Sequence, residues 1–543
     1  MGNGRWKVLV VLAAAQFLMV LDQAVMNVSI SQLVDDFDTE VTTIQSVITF
    51  YALVMAALMI AGGKVGDLLG RRRAFGIGHV IYGLGSALTA VAWSVPVLTL
   101  GWSVLEGIGA ALVLPALAAL TARSYEGSDR ALAYGVLGGV SGAGIAVGPI
   151  LGGWVTTYLS WRVVFAGEVV IVLGILAGLR MLPADLPRRR TELDWVGATL
   201  SAVGLAAIVL GVLNASRWGW IWPRNSPIEP FGFSLTPWLV AAGGAVLAVF
   251  VSWQRRREAR DREPLVHLRL LHVPPLRAGL VMFGFQNLIL MGIFFAIPLY
   301  LQIVQGFNAF ETGVRMLPVS VCLFLTALAG SRLSRRFAPR PIVRVGAGLL
   351  VAASLMLLAV IEPELDTAPF AVAMGVLGVG MGLVVSQLGN VVQSAVSEAD
   401  RGEAGGLQYT AQQLGASMGT ALIGAVVISG LISSFGTNVA DDPRIAPAVQ
   451  QEVGVRLDGD VSFVSSDQVR AAAEEEGIDA ATTDAVVEDY EESQLRALKF
   501  GLLLAALLSG AAFLATAKLP ARTRGAPGPP AAAPPPPPVT AAT

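Results

Sequence analysis

VLVVLAAAQFLMVLDQAVMNVSI (8–30) is an apolar run broken near its end by one acid, Asp22. Coiled as a helix, about 20 such residues cross the hydrocarbon core of a bilayer. A cleaved export signal would have a shorter apolar core and then a small-residue cleavage site, so the run is read as an uncleaved first span. Further runs follow at 44–63, 74–93, 97–120, 132–157, 162–182, 195–214, 236–253, 278–301, 312–333, 342–361, 368–388, 403–435 and 497–517. The run at 403–435 exceeds one crossing and is predicted to tilt or to begin outside the bilayer. Of 543 residues, 54% are hydrophobic and only 14% charged, against roughly 25% charged in soluble domains. A soluble enzyme could not hide so much apolar side chain. The runs are continuous rather than alternating, which excludes a transmembrane barrel. The predicted class is an all-α polytopic membrane protein with fourteen transmembrane helices.

The net charge is −2, so nucleic acid is not an expected partner. With the N-terminus inside, 28 of the 37 Lys and Arg fall in inside segments. Cytoplasmic loops carry such an excess, so both termini are predicted to be cytoplasmic. RRREARDREP (255–264) is then a cytoplasmic basic loop beside anionic membrane lipid. Trp218, Trp220 and Trp222 fall in an outside loop, as an interfacial aromatic belt would. Residues 436–494, with fifteen acids against three arginines, are read as an outside loop that could gather cations near an outer mouth. The tail APGPPAAAPPPPPVTAAT (526–543) is proline-rich and predicted to be disordered.

Some chemistry is missing. None of Lys7, Lys64, Lys499 and Lys518 is followed by Ser or Thr, so the phosphate-cradling loop of an ATP-driven pump is not present and ATP is not an expected partner. The single Cys322 permits no thiolate metal cluster, and no H-E-x-x-H occurs, so no metal or organic cofactor is expected. G-x-S-x-G at Gly415–Gly419 lies within an apolar run rather than a strand-to-helix elbow. Its small residues are read as helix-packing positions, and no catalytic residue is assigned.

What remains is a set of acids inside apolar runs, where each is costly and therefore a candidate site. At about 1.5 Å per residue, Asp22, Glu106 and Glu168 fall about 9, 14 and 9 Å below the outer edge of the bilayer. Met19 and Met26 share the face of Asp22, and methionine adapts to many ligand shapes. Trp102 lies one turn from Glu106, and a carboxylate beside an indole suits an organic cation. Phe283, Asn287 and Met291 form a mixed face on the ninth span, and Met374, Gly378 and Met381 one on the twelfth. These two are read first as packing faces. Each acid could also be a buried hydrogen-bonding group between helices, Glu168 most of all because Arg162 is near it in sequence.

The loop GGKVGDLLGRRR (62–73) resembles the signature loop of the major facilitator superfamily, G-x-x-x-D-x-x-G-R-R. Gly63 and Gly70 permit close approach and tight turning, while Asp67 with Arg71, Arg72 and Arg73 offers a charge lock. GSRLSRRFAPR (330–340) is similar to a decayed repeat of it, with Arg335 and Ala338 in place of the acid and the glycine. GAGIAVGPILGG (142–153) resembles the glycine-proline motif of the superfamily's antiporters, through Gly144, Gly148, Pro149, Gly152 and Gly153. LDQAVMNVSI (21–30), SWRVVF (160–165) and FNAFETGVRMLP (307–318) are similar to the fourteen-span drug:proton antiporter branch. That branch usually carries R-x-x-Q-G-x-G on the fourth span. Here SVLEGIG (103–109) puts Ser103 for the arginine and Glu106 for the glutamine. Glu168 stands where relatives often have asparagine.

The resemblance implies two six-helix bundles, 1–190 and 263–518, with two inserted helices at 191–262 and a tail at 519–543. It implies a secondary active exporter in a bacterial cytoplasmic membrane, exchanging protons for a small, lipophilic, cationic compound by alternating access. Protons are the expected coupling ion. One alternative keeps the machinery and changes the cargo to an endogenous metabolite, antibiotic, siderophore or lipid. An alternative of another class is a non-transporting membrane sensor or scaffold.

Overall fold

A computed structural model describes all residues except 1, 40, 186–192, 224–225, 335, 399, 448, 451–463 and 522–543. The proline-rich tail and Arg335 lie outside the described residues, as do the side chains of Asn27 and Pro149. In chain order the helices are α1 Gly2–Val28, α2 Ile30–Phe37, α3 Val41–Leu69, α4 Arg71–Ala90, α5 Val95–Leu98 and α6 Gly107–Ser124. A π-helical segment, Thr99–Glu106, joins α5 to α6. Next come α7 Gly127–Tyr158, α8 Trp161–Gly178, α9 Trp195–Leu213, α10 Ala215–Trp218, α11 Leu235–Glu258 and α12 Pro274–Leu299. The last are α13 Ala309–Leu333, α14 Pro339–Val360, α15 Thr367–Ser394, α16 Arg401–Asp441, α17 Ser466–Glu475 and α18 Ala480–Ala515.

Thirteen of these stretches are long and apolar enough to cross a membrane. The expected third span is present as the 20-residue α4, but it is too polar to join that set, because Arg71–Arg73, His79, Ser86 and Thr89 lie along it. The segment 436–494, read as a polar loop, is largely helical among its described residues: its first residues continue α16, α17 forms within it, and α18 begins at Ala480. Side-chain caps set such starts. Asp479 Oδ1 accepts the Thr482 amide at 3.2 Å, and Asn308 and Glu311 form a reciprocal capping box for α13.

Two apolar cores divide the chain. Leu12, Phe75, Leu117 and Phe165 belong to the first, and Met282, Phe370, Leu388 and Leu502 to the second. A smaller cluster of Leu205, Phe250, Leu265 and Val266 packs with Ile60 and so ties the α9–α11 pair to α3. The halves meet where α7 packs on α13 and α15, and where α16 packs on α3 and α6. Glycine makes the second contact possible. A Cβ on Gly63 would lie 2.7 Å from the Gly402 carbonyl oxygen, and one on Gly406 would lie 3.0 Å from that of Met59. This contact lies toward the end of the molecule that carries Arg71–Arg73, called here the basic end. The small residues of the G-x-S-x-G stretch serve the same purpose, since Gly415 and Gly419 abut the backbone of Gly284 and Leu288.

Candidate functional site

α1, the π-helical segment and α8 each deliver one acid to a common point. Asp22, Glu106 and Glu168 are buried at 0%, 0% and 1% exposure. One carboxylate oxygen from each lies within 4.8 Å of the others. Carboxylates this close repel when ionised, and this is the group among the described residues where three such side chains could surround a cation. The approach depends on missing side chains. A Cβ on Gly85 would lie 2.6 Å from Glu106 Cγ, and one on Gly101 would lie 2.9 Å from the Thr89 amide nitrogen. The wider π turn sets Trp102, Ser103 and Glu106 on the buried side.

Every hydrogen-bond partner described for the triad is neutral. Trp102 Nε1 donates to Asp22 Oδ1 at 2.7 Å. Thr89 Oγ1 donates to Glu106 Oε1 at 3.3 Å, and Ser86 Oγ to Glu168 Oε2 at 3.1 Å. Asp22 Oδ2, Glu106 Oε2 and Glu168 Oε1 are buried without a partner, as are the hydroxyls of Tyr51 and Tyr82. Those two tyrosines face Asp22. Tyr51 also stacks on Trp102, with ring centroids 4.4 Å apart at 14°. The indole face that the sequence offers to an organic cation is therefore covered in this arrangement. Ser103, where an arginine was expected by resemblance, donates to the Val47 carbonyl at 2.8 Å and leaves the triad alone.

Other predicted residues fall as follows. Met19 and Met26 are buried in the same core as Trp102. Arg162, near Glu168 in sequence, turns instead to Asp36 and to the Ala92 carbonyl. Phe283 and Met291 pack in the second core, and the Asn287 amide bonds the Phe283 carbonyl within its own helix. That face is not brought to the triad. Met374 and Met381 are fully buried in the same second core. Gly144, Gly148 and Gly152 press on Val20, Ala24 and Val25 of α1 and so hold the helix of Asp22 against α7. Gly153 is buried, and Pro149 lies in α7 with its side chain outside the described residues.

At the basic end, Arg71 Nη2 lies 2.9 Å from Asp67 Oδ1 and also donates to the Glu398 carbonyl of the other half. Gly70, at φ +96°, makes the turn between α3 and α4. Of the three arginines of the expected lock, Arg71 is the one paired with Asp67 among the described residues. The Arg72 amide donates to Asp185 at 2.8 Å, and Arg73 reaches the same acid at 4.0 Å. A second lock, more deeply buried, was not expected. Lys64 Nζ sits 3.0 Å from Glu403 Oε1 and 3.3 Å from Glu263 Oε2. His267 adds its backbone amide, 3.0 Å from Glu403 Oε2, and its Nδ1, 3.0 Å from Oε1. The sequence signal was there, since Lys64 is an ionisable residue at the edge of an apolar run.

Comparison with known proteins gives a consistent picture. A sequence model described as Major Facilitator Superfamily matches residues 12–420. The puromycin resistance protein pur8 of Streptomyces alboniger is 32% identical over 80% of this chain and 85% of its own. The multidrug efflux pump LfrA of Mycolicibacterium smegmatis is 29% identical over 83% of this chain and 86% of its own. The proton:xylose symporter XylE has the same fold at a TM-score of 0.54 and 14% identity, covering 89% of this chain and 98% of that one.

Proposed function

The chain belongs to the major facilitator superfamily and is a membrane-spanning transporter, and from that premise we propose that it exports lipophilic, cationic, antibiotic-like compounds in exchange for protons. It does so in a bacterial cytoplasmic membrane, with both termini and the basic end cytoplasmic. The observation that carries this reading is the buried triad Asp22–Glu106–Glu168. Three carboxylates at one point in an apolar bundle cannot all ionise cheaply, so the site retains protons. A cation entering beside them compensates the ionised form, and a proton leaves. Similarity to a resistance protein and to an efflux pump supports drugs as the cargo.

Alternating access follows from where the halves touch. With Lys64–Glu403 and the Asp67-held Arg71 on the Glu398 carbonyl in place, the cytoplasmic end is shut and the triad is served from outside. Breaking those contacts opens the inside, where substrate enters and displaces the proton. Asp22 is the acid closest to this exchange, because Trp102 and Tyr51 cover it as a stacked pair that must part to admit a ligand.

The test uses everted membrane vesicles and ethidium, a lipophilic cation. Acidifying the interior should drive ethidium uptake, and a protonophore should abolish it. Uptake indifferent to the protonophore sinks proton coupling. Failure to move any member of a panel of cationic and neutral antibiotics sinks the drug reading.

A further inference from the structure

Fully ionised, the carboxylates of the triad carry three negative charges, and an organic cation returns one. Asp22 Oδ2, Glu106 Oε2 and Glu168 Oε1 are each buried without a partner among the described residues. Tyr82 of α4 is fully buried, and its hydroxyl is unpartnered there as well. It is faced by Asp22 of α1, Glu168 of α8, Glu106 of the π-helical segment and Tyr51 of α3. Buried polar atoms left unpaired are costly and call for an explanation. Four of them at one point, all oxygen, suit a ligand that takes oxygen donors.

The donor set decides the class of that ligand. No histidine or cysteine joins the group among the described residues, and oxygen donors alone suit hard cations rather than zinc or copper. Ca²⁺ binds oxygens at about 2.3–2.6 Å in flexible geometry, so two of its ligand atoms can stand up to about 5 Å apart. The three acids meet that span, with one oxygen of each within 4.8 Å of the others. Mg²⁺ demands a tighter, near-octahedral shell and gives up its water reluctantly. A site covered by the stacked rings of Tyr51 and Trp102 requires that water to be given up.

Building on the proton-exchange reading above, we propose that the triad is also a binding site for a hard divalent cation of the Ca²⁺ class, taken up in exchange for two protons. Asp22, Glu106 and Glu168 supply the charged ligands, and the Tyr82 hydroxyl adds a neutral oxygen. The exchange balances. With three protons the triad is neutral. Two O–H bonds break, both protons pass to water, and carboxylate oxygens close on the cation. One retained proton and one Ca²⁺ leave the triad neutral again, which an apolar bundle favours. An organic cation reaches the same neutrality with two protons retained, so it expels one proton where Ca²⁺ expels two.

The experiment titrates purified protein in weakly buffered detergent near neutral pH with Ca²⁺, Mg²⁺ or ethidium and reads proton release with a pH dye. Ca²⁺ should release about two protons per chain, about twice the ethidium value, because a metal binds the deprotonated ligands. Mg²⁺ should need at least about tenfold higher concentration. Asp22→Asn, Glu106→Gln and Glu168→Gln should each weaken Ca²⁺ at least about tenfold, since ligand charge sets affinity, with thermal unfolding unchanged. Tyr82→Phe should weaken it less. The variants are scored separately, so one that fails to fold leaves the others as the test. A Ca²⁺ response equal to wild type in any folded acid variant overturns the site, and its persistence in all three places the metal on the acidic stretch 436–494 instead. Wild-type affinity in Tyr82→Phe overturns the place of Tyr82 among the ligands, and Mg²⁺ as effective as Ca²⁺ overturns the ion assigned. A wild type that releases a proton to ethidium and none to Ca²⁺ overturns the metal site and leaves the exporter reading intact. One that releases protons to neither overturns both.

Discussion

Lys64 Nζ and Glu403 Oε1 lie 3.0 Å apart, joining α3 to α16 across 339 residues of sequence. Both side chains are almost wholly buried, at 6% and 4% exposure. Fully stranding one partner of a buried pair costs about 3–5 kcal/mol; Lys64 would keep Glu263 at 3.3 Å, so losing Glu403 costs less than that. Here that cost falls on the arrangement shut at the basic end, because opening that end gives both groups to water. Glu403→Gln should therefore shift the protein toward the open form. Spin labels at Arg73 and Arg336 report the change as a longer distance. An unaltered distribution sinks the lock.

His267 makes this lock sensitive to pH. Its pKa is raised above the ordinary 6.5, first by the hydrogen bond to Glu403, with burial and Lys64 opposing and Glu263 assisting. Glu403 and Glu263 lie in the same half as His267, whereas Lys64 of the other half opposes its protonation, so the histidine holds a proton more readily once the basic end opens. The fraction shut at the basic end should thus rise as pH climbs above about 6.5. His267→Gln should remove that part of the pH dependence. The same spin-label pair checks it, and a slope identical in the variant refutes the assignment.

Asp67→Asn should cut transport by about tenfold while leaving substrate affinity within about twofold. Arg71 would lose its charged partner and still hold the Glu398 carbonyl. An interaction present in one of two states shifts their balance by its own strength, and about 1.4 kcal/mol is a factor of ten. The carboxylate is remote from the triad, so binding is spared. Parallel ethidium transport and equilibrium binding measurements separate the two. Wild-type transport at normal expression would contradict the prediction.

The spans were legible because continuous apolar runs have one physical reading. Their ends were not. Residues 480–494 of α18 are rich in alanine and acids, which suit a helix in water, while hydropathy reports only the part in lipid. The acids of the site were legible for a similar reason, since a charge in an apolar run stands out. Tyr51, Tyr82, Ser86 and Thr89 were not, because hydroxyl residues are ordinary in spans and only packing decides which of them face an acid. The face Phe283–Asn287–Met291 has the same periodicity as a site, yet Phe283 and Met291 pack in the second core. Periodicity identifies a face but not its partner.

Topology is checked most directly by labelling. With Cys322 replaced, single cysteines at Ser226 and Ser466 should react with an impermeant reagent in intact cells, and one at Thr540 should not. Reaction at Thr540 without reaction at Ser466 would invert the assignment of sides, and with it the identification of the basic end as cytoplasmic.

Glu106→Gln installs the residue that the family resemblance assigns to this position, yet it should abolish or uncouple proton-driven export. Ser103 supplies no positive charge, being bonded to the Val47 carbonyl, so the protons must be held by the acids themselves. Glu106 is one of three carboxylates whose nearest oxygens lie within 4.8 Å. Glutamine keeps the shape of the side chain and its bond from Thr89, but it cannot titrate, so the change separates packing from charge. With one acid gone, Asp22 and Glu168 repel less, and the proton that crowding held is no longer there to be expelled. Ethidium-induced proton release from detergent-purified protein near neutral pH should therefore fall to near background in Glu106→Gln. Asp22→Asn should lose both release and much of the binding, because Asp22 alone of the three is bonded to Trp102. Release unchanged in Glu106→Gln would move the exchanging proton to Asp22 or Glu168 and leave Glu106 as a packing group between α4 and the π-helical segment.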